Sequence, residues 1–152
     1  FVLASLGLKV QTFEQNPAVA YLLSDGLNRA VQSEETREIA QRITLHFGNA
    51  VDLMQELATK NGRPDVVYLD PMYPERRKTA AVKKEMAYFH DLVGSAQDEA
   101  ELLDVALNTA KKRIVVKRPR LGEFLDGRKP AYQYTGKSTR FDVYLPTRPS
   151  ED

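Results

Sequence analysis

From Leu8 onward the chain alternates between two hydrophobic rhythms. Leu8 to Phe13 (LKVQTF) has the period of two expected of a strand, which ends at Glu14. Asn16-Pro17 then supplies a helix cap with proline in the first turn. Val19, Leu22, Leu23, Leu27 and Ala30 recur at helical spacing, so a helix is expected from about Pro17 to Val31. Ser33 to Gln41 is charged and reads as a loop or a helical extension. Ile43 to Phe47 is a second strand. After Gly48-Asn49 a helix carries Ala50, Val51, Met54, Leu57 and Ala58 on one side and ends at Asn61-Gly62.

Asp65 to Asp70 forms the third strand. Val66, Val67, Tyr68 and Leu69 show no polar alternation, the pattern of a strand covered on both faces. Ala80 to Leu92 is expected to be helical. Asp98 to Ala110 is a clearer helix, with Asp98, Glu99 and Glu101 at its start and Lys111 and Lys112 at its end, as the helix dipole favours. Its apolar face is Leu102, Leu103, Ala106, Leu107 and Ala110. Arg113 to Lys117 is the fourth strand, and Arg118 to Pro130 is a loop rich in Pro, Gly and charge. Ala131 to Thr135 and Phe141 to Leu145 form a hairpin pair around Gly136-Lys137-Ser138.

Strands alternating with helices predict a single α/β domain over 1–152, with a largely parallel sheet, helices on both faces and a terminal antiparallel pair. In such sheets ligands bind outside the carboxyl ends of the strands. That rule selects Glu14, Gly48-Asn49-Ala50, Asp70 to Pro74, and Lys117 to Arg120.

Composition narrows the function classes. The 152 residues are 42% hydrophobic and 28% charged, which excludes an intrinsically disordered chain. No apolar run approaches the roughly 20 residues that span a bilayer. The apolar start, FVLASLGLKV, has neither a basic lead-in nor a cleavage site, so no signal peptide is expected. The absence of cysteine excludes disulfides, thiolate metal ligands and a cysteine nucleophile, and suits a cytoplasmic protein. Phe1 to Gly7 reads as the back end of a helix, so sequence is expected upstream.

Charge is uneven. Residues 1–70 hold 6 Lys/Arg against 9 Asp/Glu, a net of −3, and residues 71–152 hold 16 against 12, a net of +4. Two basic clusters stand out: Arg76, Arg77 and Lys78 with Lys83 and Lys84, and Lys111, Lys112 and Arg113 with Lys117, Arg118 and Arg120. Such clusters suit a polyanion such as nucleic acid, or a merely solvated surface.

The strand ends carry the candidate chemistry. Glu14 can accept hydrogen bonds from both ribose hydroxyls, with Gln15 beside it. Gly48 permits close backbone approach, and Asn49 offers a donor and an acceptor to an adenine edge, or simply caps the following helix. Asp70-Pro71-Met72-Tyr73-Pro74 is the strongest local signal. Two prolines stiffen the loop, Asp70 and the Pro71 carbonyl can accept from an exocyclic amine, and Tyr73 can stack on a base. Polarising a planar amine in this way favours the pyramidal geometry in which nitrogen attacks a methyl group. His46 and His90 have no metal-ligand neighbours at suitable spacing, so no metal site is expected.

Glu14 after one strand, Asn49-Ala50 after the next and DPMYP after the third resemble the nucleoside-binding and catalytic motifs of Rossmann-like class I methyltransferases that use S-adenosyl-L-methionine. DPMYP resembles the [DNS]-P-P-[YF] motif of enzymes that methylate base amines. Together with FVLASLG, FEQNP, VKKEM, VVKRP and RFDVY, it is similar to the bacterial small-subunit (16S) ribosomal RNA guanine-N2 methyltransferases of the RsmJ type. The resemblance implies that Glu14, Gln15, Asn49, Ala50 and Asp70 contact the cofactor, that Asp70, Pro71 and Tyr73 act on the base, and that 16S ribosomal RNA or the small subunit is the partner. Arg76, Arg77, Lys78, Lys83, Lys84, Lys117, Arg118 and Arg120 would then meet the RNA backbone. It also implies that the first strand and its glycine-rich loop precede Phe1. Met72 departs from the motif by replacing its second proline. The motif by itself leaves an adenine N6 amine open as target, and a non-catalytic RNA-binding module is the further alternative.

Overall fold

The computed structural model describes residues 1–71 and 96–147. The chain divides into two compact units, Phe1–Glu56 and Leu57–Asp152.

In the first unit a short helix, α1 (Val2–Ser5), leads into strand β1 (Val10–Glu14), then α2 (Pro17–Gln32), α3 (Arg37–Ala40) and strand β2 (Ile43–Phe47). α4 (Ala50–Asn61) follows, and its residues from Leu57 onward belong to the second unit. β1 and β2 pair in parallel, with Val10 opposite Ile43 and Glu14 opposite Phe47. Asn16 caps α2 as expected, its Oδ1 accepting from the amides of Ala18 (2.9 Å) and Val19 (3.2 Å), with Pro17 in the first turn. The charged stretch after α2 closes into α3. The expected apolar face of α2 is only partly used: Ala20 is buried, while Val19, Leu22 and Leu23 stay exposed. Two strands offer too narrow a surface to cover a 16-residue helix within this unit.

The second unit is built on a four-stranded sheet of order β3-β4-β6-β5. β3 is Val66–Leu69, β4 is Arg113–Pro119, β5 is Tyr132–Thr135 and β6 is Thr139–Tyr144. β3 and β4 are parallel, whereas β4–β6 and β6–β5 are antiparallel, which confirms the terminal hairpin. α5 (Ala96–Thr109) begins two residues before its expected start, with Asp98 and Glu99 in its first turn. It buries Leu103, Val105 and Ala106, and these form the core with Val67, Leu69, Ile114, Val116 and Val143. The Arg63 guanidinium donates to the carbonyls of Thr109 (3.1 Å) and Ala110 (2.6 Å), a cation on the last acceptors of the helix.

The expectation that β3 is covered on both faces is corrected. Val67 and Leu69 are each 7% exposed, but Val66 and Tyr68 are 44% and 45% exposed. β3 is the outer strand of the described four-stranded sheet, and among the described residues its Val67–Leu69 face meets the core. Among the described residues no helix is long and apolar enough to cross a membrane.

Candidate active site

The register of the second sheet creates a pair that the sequence did not announce. Val66 lies opposite Arg113 and Leu69 opposite Val116, so one further step along two parallel strands brings Asp70 beside Lys117. Their side chains point to the open face, because Leu69 and Val116 point to the core and neighbours alternate. Lys117 Nζ donates to Asp70 Oδ2 at 2.9 Å. Oδ1 has no hydrogen-bond partner among the described residues. The hydrogen bond and the charge of Asp70 raise the pKa of Lys117, keeping it a cation through neutral pH. Tyr68, two residues back on the same face, has its phenol pKa raised, first by desolvation and then by Asp70, with Lys117 acting against both.

In the first unit the parallel pairing of β1 and β2 brings Glu14 to Phe47, and the Gly48 amide donates to the Glu14 carbonyl at 3.0 Å. Glu14 Oε1 accepts from the Asn16 amide at 2.8 Å. Its second carboxylate oxygen is uncommitted among the described residues. Gly48 has φ +146, and a Cβ there would meet the Leu53 side chain at 3.2 Å, so the turn needs glycine. Asn49 Oδ1 accepts from the Val51 amide at 2.8 Å and caps α4, which leaves its Nδ2 amide group to donate to a ligand. Gln15 is exposed and Ala50 half-buried at the first turn of α4. A carboxylate with one oxygen available, beside a tight glycine turn and a free amide donor, fits a ribose and its attached base.

Other expected contacts fare differently. Tyr73, Arg76, Arg77, Lys78, Lys83 and Lys84 lie outside the described residues, as do His90 and the expected Ala80–Leu92 helix. Pro71 is described and half-buried directly after Asp70. Arg118 is corrected: its side chain is 3% exposed, Nε donates to the Glu123 carbonyl at 2.9 Å, and the guanidinium lies 3.8 Å from Glu99. It points inward with Val116 and offers no surface to an RNA phosphate. Arg120, in contrast, is exposed.

The second basic cluster is also split. Lys112 pairs with Asp65 at the start of β4, whereas Lys117 is five residues along it, roughly 16 Å at ~3.3 Å per strand residue. His46 Nε2 donates to Gln11 Oε1, and its ring lies against Phe13, with ring centroids 5.5 Å apart.

Two polar networks went unread in the sequence. Arg140 makes a two-pronged pair with Asp142, and Gln133 adds a 2.6 Å hydrogen bond to the same carboxylate. Arg128 bridges Asp104 and Asp126. The signal for the first was available: RFD on a strand puts opposite charges two residues apart on one face.

Residues 1–146 match the family described as "Putative SAM-dependent methyltransferase". The chain belongs to this family. It is 73% identical over 146 residues to a protein of Neisseria meningitidis named "Ribosomal RNA small subunit methyltransferase J", covering 96% of this chain and 58% of the relative. A protein of the same name from Thioalkalivibrio sulfidiphilus is 53% identical, with 95% and 56% covered. The chain thus spans just under three-fifths of the length of these relatives.

A solved SAM-dependent methyltransferase from Neisseria gonorrhoeae superposes with a TM-score of 0.82 at 63% identity, covering 99% of this chain and 57% of that one. An rRNA methyltransferase from Streptomyces viridochromogenes, aviRa, matches at a TM-score of 0.56 and 16% identity over 95% of this chain and 71% of its own, a likeness of fold alone. The fold is the Rossmann-like α/β fold of the class I methyltransferases.

Proposed function

We propose that this protein transfers a methyl group from S-adenosyl-L-methionine to the exocyclic N2 amine of a guanine in small-subunit (16S) ribosomal RNA. The observation that carries the reading is Asp70: a carboxylate at the carboxyl end of a parallel strand, held through one oxygen by Lys117 and open at the other. The names of relatives above 70% identity support ribosomal RNA as substrate, and the RsmJ-type resemblance supports guanine N2.

Glu14 accepts hydrogen bonds from the ribose of the cofactor, while Asn49 and Ala50 border its adenine. When bound, S-adenosylmethionine supplies a methyl group on a positively charged sulfur. Asp70 Oδ1 and the Pro71 carbonyl accept the two amine hydrogens, which draws the nitrogen lone pair out of the base ring. Transfer of that methyl group to the amine would leave positive charge on the nitrogen. The Asp70 carboxylate stabilises that charge and takes the departing amine proton. Tyr73 stacks on the target base, and exposed basic residues such as Arg120 hold the RNA backbone. Maturing ribosomal RNA places the protein in the cytoplasm.

The test uses the full-length protein with small-subunit RNA and labelled cofactor, followed by nucleoside analysis. Wild type yields N2-methylguanosine, and D70A lowers the rate by at least about 100-fold, as removal of one transition-state hydrogen-bond partner does. Label in N6-methyladenosine would move the target to adenine. Undiminished turnover by folded D70A would remove Asp70 from the mechanism.

A further inference from the structure

We infer that Lys117 is a specificity residue, and that the Asp70–Lys117 pair reads the Watson–Crick edge of guanine as a unit. The inference rests on the proposed methylation of a base amine and adds what selects the base.

The pair presents three neighbouring groups on the open face of the sheet: Oδ1 and Oδ2 of Asp70, and Nζ of Lys117 at 2.9 Å from Oδ2. Their hydrogen-bonding sense is acceptor, acceptor, donor. The guanine edge runs N2–H, N1–H, O6, which is donor, donor, acceptor. The two patterns are complementary when the N2 amine meets Oδ1, the oxygen without a partner among the described residues. An ammonium has three donors, so Lys117 can keep Oδ2 and still donate to O6.

Adenine in the same place fails twice. With its N6 amine on Oδ1, its N1 lone pair faces the Oδ2 carboxylate oxygen, and a C–H, not an acceptor, faces Lys117. An unpaired polar group inside a closed contact is what makes such discrimination large.

The pair is also reachable. The Lys117 and Asp70 side chains are 42% and 50% exposed; Asp70 directly follows the end of β3, and Lys117 lies two residues before the end of β4. A half-exposed ion pair contributes little to folding, so replacing Lys117 should hardly move the melting temperature. That separates a reading role from a structural one.

A chemical double-mutant cycle tests this in the full-length protein. Small-subunit RNA transcripts are prepared with guanosine or with 6-thioguanosine, whose sulfur is a poor acceptor. Wild type is expected to lose roughly 10- to 100-fold in kcat/KM on the thio transcript, the range of a lost base-edge contact. K117M loses a similar factor on guanosine and is then indifferent to the exchange, while K117R, which keeps a donor, retains part of the discrimination. Equal losses in wild type and K117M, including no loss in either, overturn the role of Lys117 while leaving guanine methylation standing. Absence of any N2-methylguanosine from wild type on the guanosine transcript overturns the methyltransferase reading itself.

Discussion

Arg140 and Asp142 sit two residues apart on one face of β6 and make a two-pronged ion pair of 2.7 and 2.9 Å, with the carboxylate fully buried. The Arg140 guanidinium also donates to the Arg120 carbonyl at 3.0 Å and lies over the Phe124 ring, 5.0 Å from its centroid. The pair therefore joins the sheet to the loop that leaves β4 after Pro119, two residues beyond Lys117.

Breaking this pair on one side strands a buried charge. D142A is expected to cost about 3–5 kcal/mol, while replacing both partners with apolar residues of similar volume recovers much of that loss. Urea unfolding of D142A and of R140M/D142L checks the ordering. A double variant no more stable than D142A would show that the network does more than neutralise itself.

Arg118 and Arg120, two residues apart, should respond oppositely. R118A removes a buried guanidinium bound to the Glu123 carbonyl and near Glu99, and is expected to lower stability by about 1.5–3 kcal/mol. R120A should leave the unfolding midpoint unchanged but weaken binding to small-subunit RNA, reducing the slope of log affinity against log salt by about 1. Salt titrations of RNA binding alongside thermal melts separate the two. A salt slope that falls for R118A at unchanged stability would reinstate its contact with RNA.

Why one of these arginines misleads a reader of the sequence is a matter of strand alternation. VVKRP looks like a continuous basic run, but β4 points Val116 and Arg118 to the core and Lys117 outward. The elements themselves were legible: the Asn16-Pro17 cap, the acidic first turn of α5 and the terminal hairpin each carry local signals that tertiary packing did not override. Asp70 was legible as a strand-end carboxylate. Its partner was not, because a lysine 47 residues away reaches it only through the β3–β4 register. The exposure of Val66 and Tyr68 was hidden for the same reason, since apolar residues on an edge strand look like those of a covered one.

Tyr144 links stability to alkaline pH. Burial, and after it the nearby Asp142 charge, push its phenol up to about 12 against the neighbouring arginines, and its hydroxyl donates to the Arg128 carbonyl at 2.8 Å. The folded state thus holds its proton more tightly than the unfolded chain, whose tyrosine ionises near 10. Between those values the unfolded state binds fewer protons, so stability present below about pH 10 is lost as pH rises toward about 12. Thermal melts should show a steeper fall over that window in wild type than in Y144F. At neutral pH Y144F should cost about 0.5–1.5 kcal/mol for the lost hydrogen bond. Parallel slopes in the two proteins would assign the alkaline transition to other groups.

Glu14 offers a clean separation of binding from folding. One carboxylate oxygen accepts from the Asn16 amide and so sets the entry into α2, while the other is available to a ribose. A glutamine keeps an acceptor for Asn16 but turns one ribose acceptor into a donor and removes the charge. E14Q is therefore expected to fold with an almost unchanged melting temperature, yet to weaken S-adenosylhomocysteine binding by roughly 10-fold or more, the equivalent of one charge-assisted hydrogen bond of about 1.5–3 kcal/mol. N16A should do the reverse: it keeps the amide that Glu14 accepts from, loses the side-chain cap of α2, and costs about 0.5–2 kcal/mol of stability. Calorimetric titration of S-adenosylhomocysteine into the full-length variants, with a melt on each sample, measures both quantities at once. Unchanged affinity in folded E14Q would remove Glu14 from the cofactor site and leave it as a helix-entry residue alone.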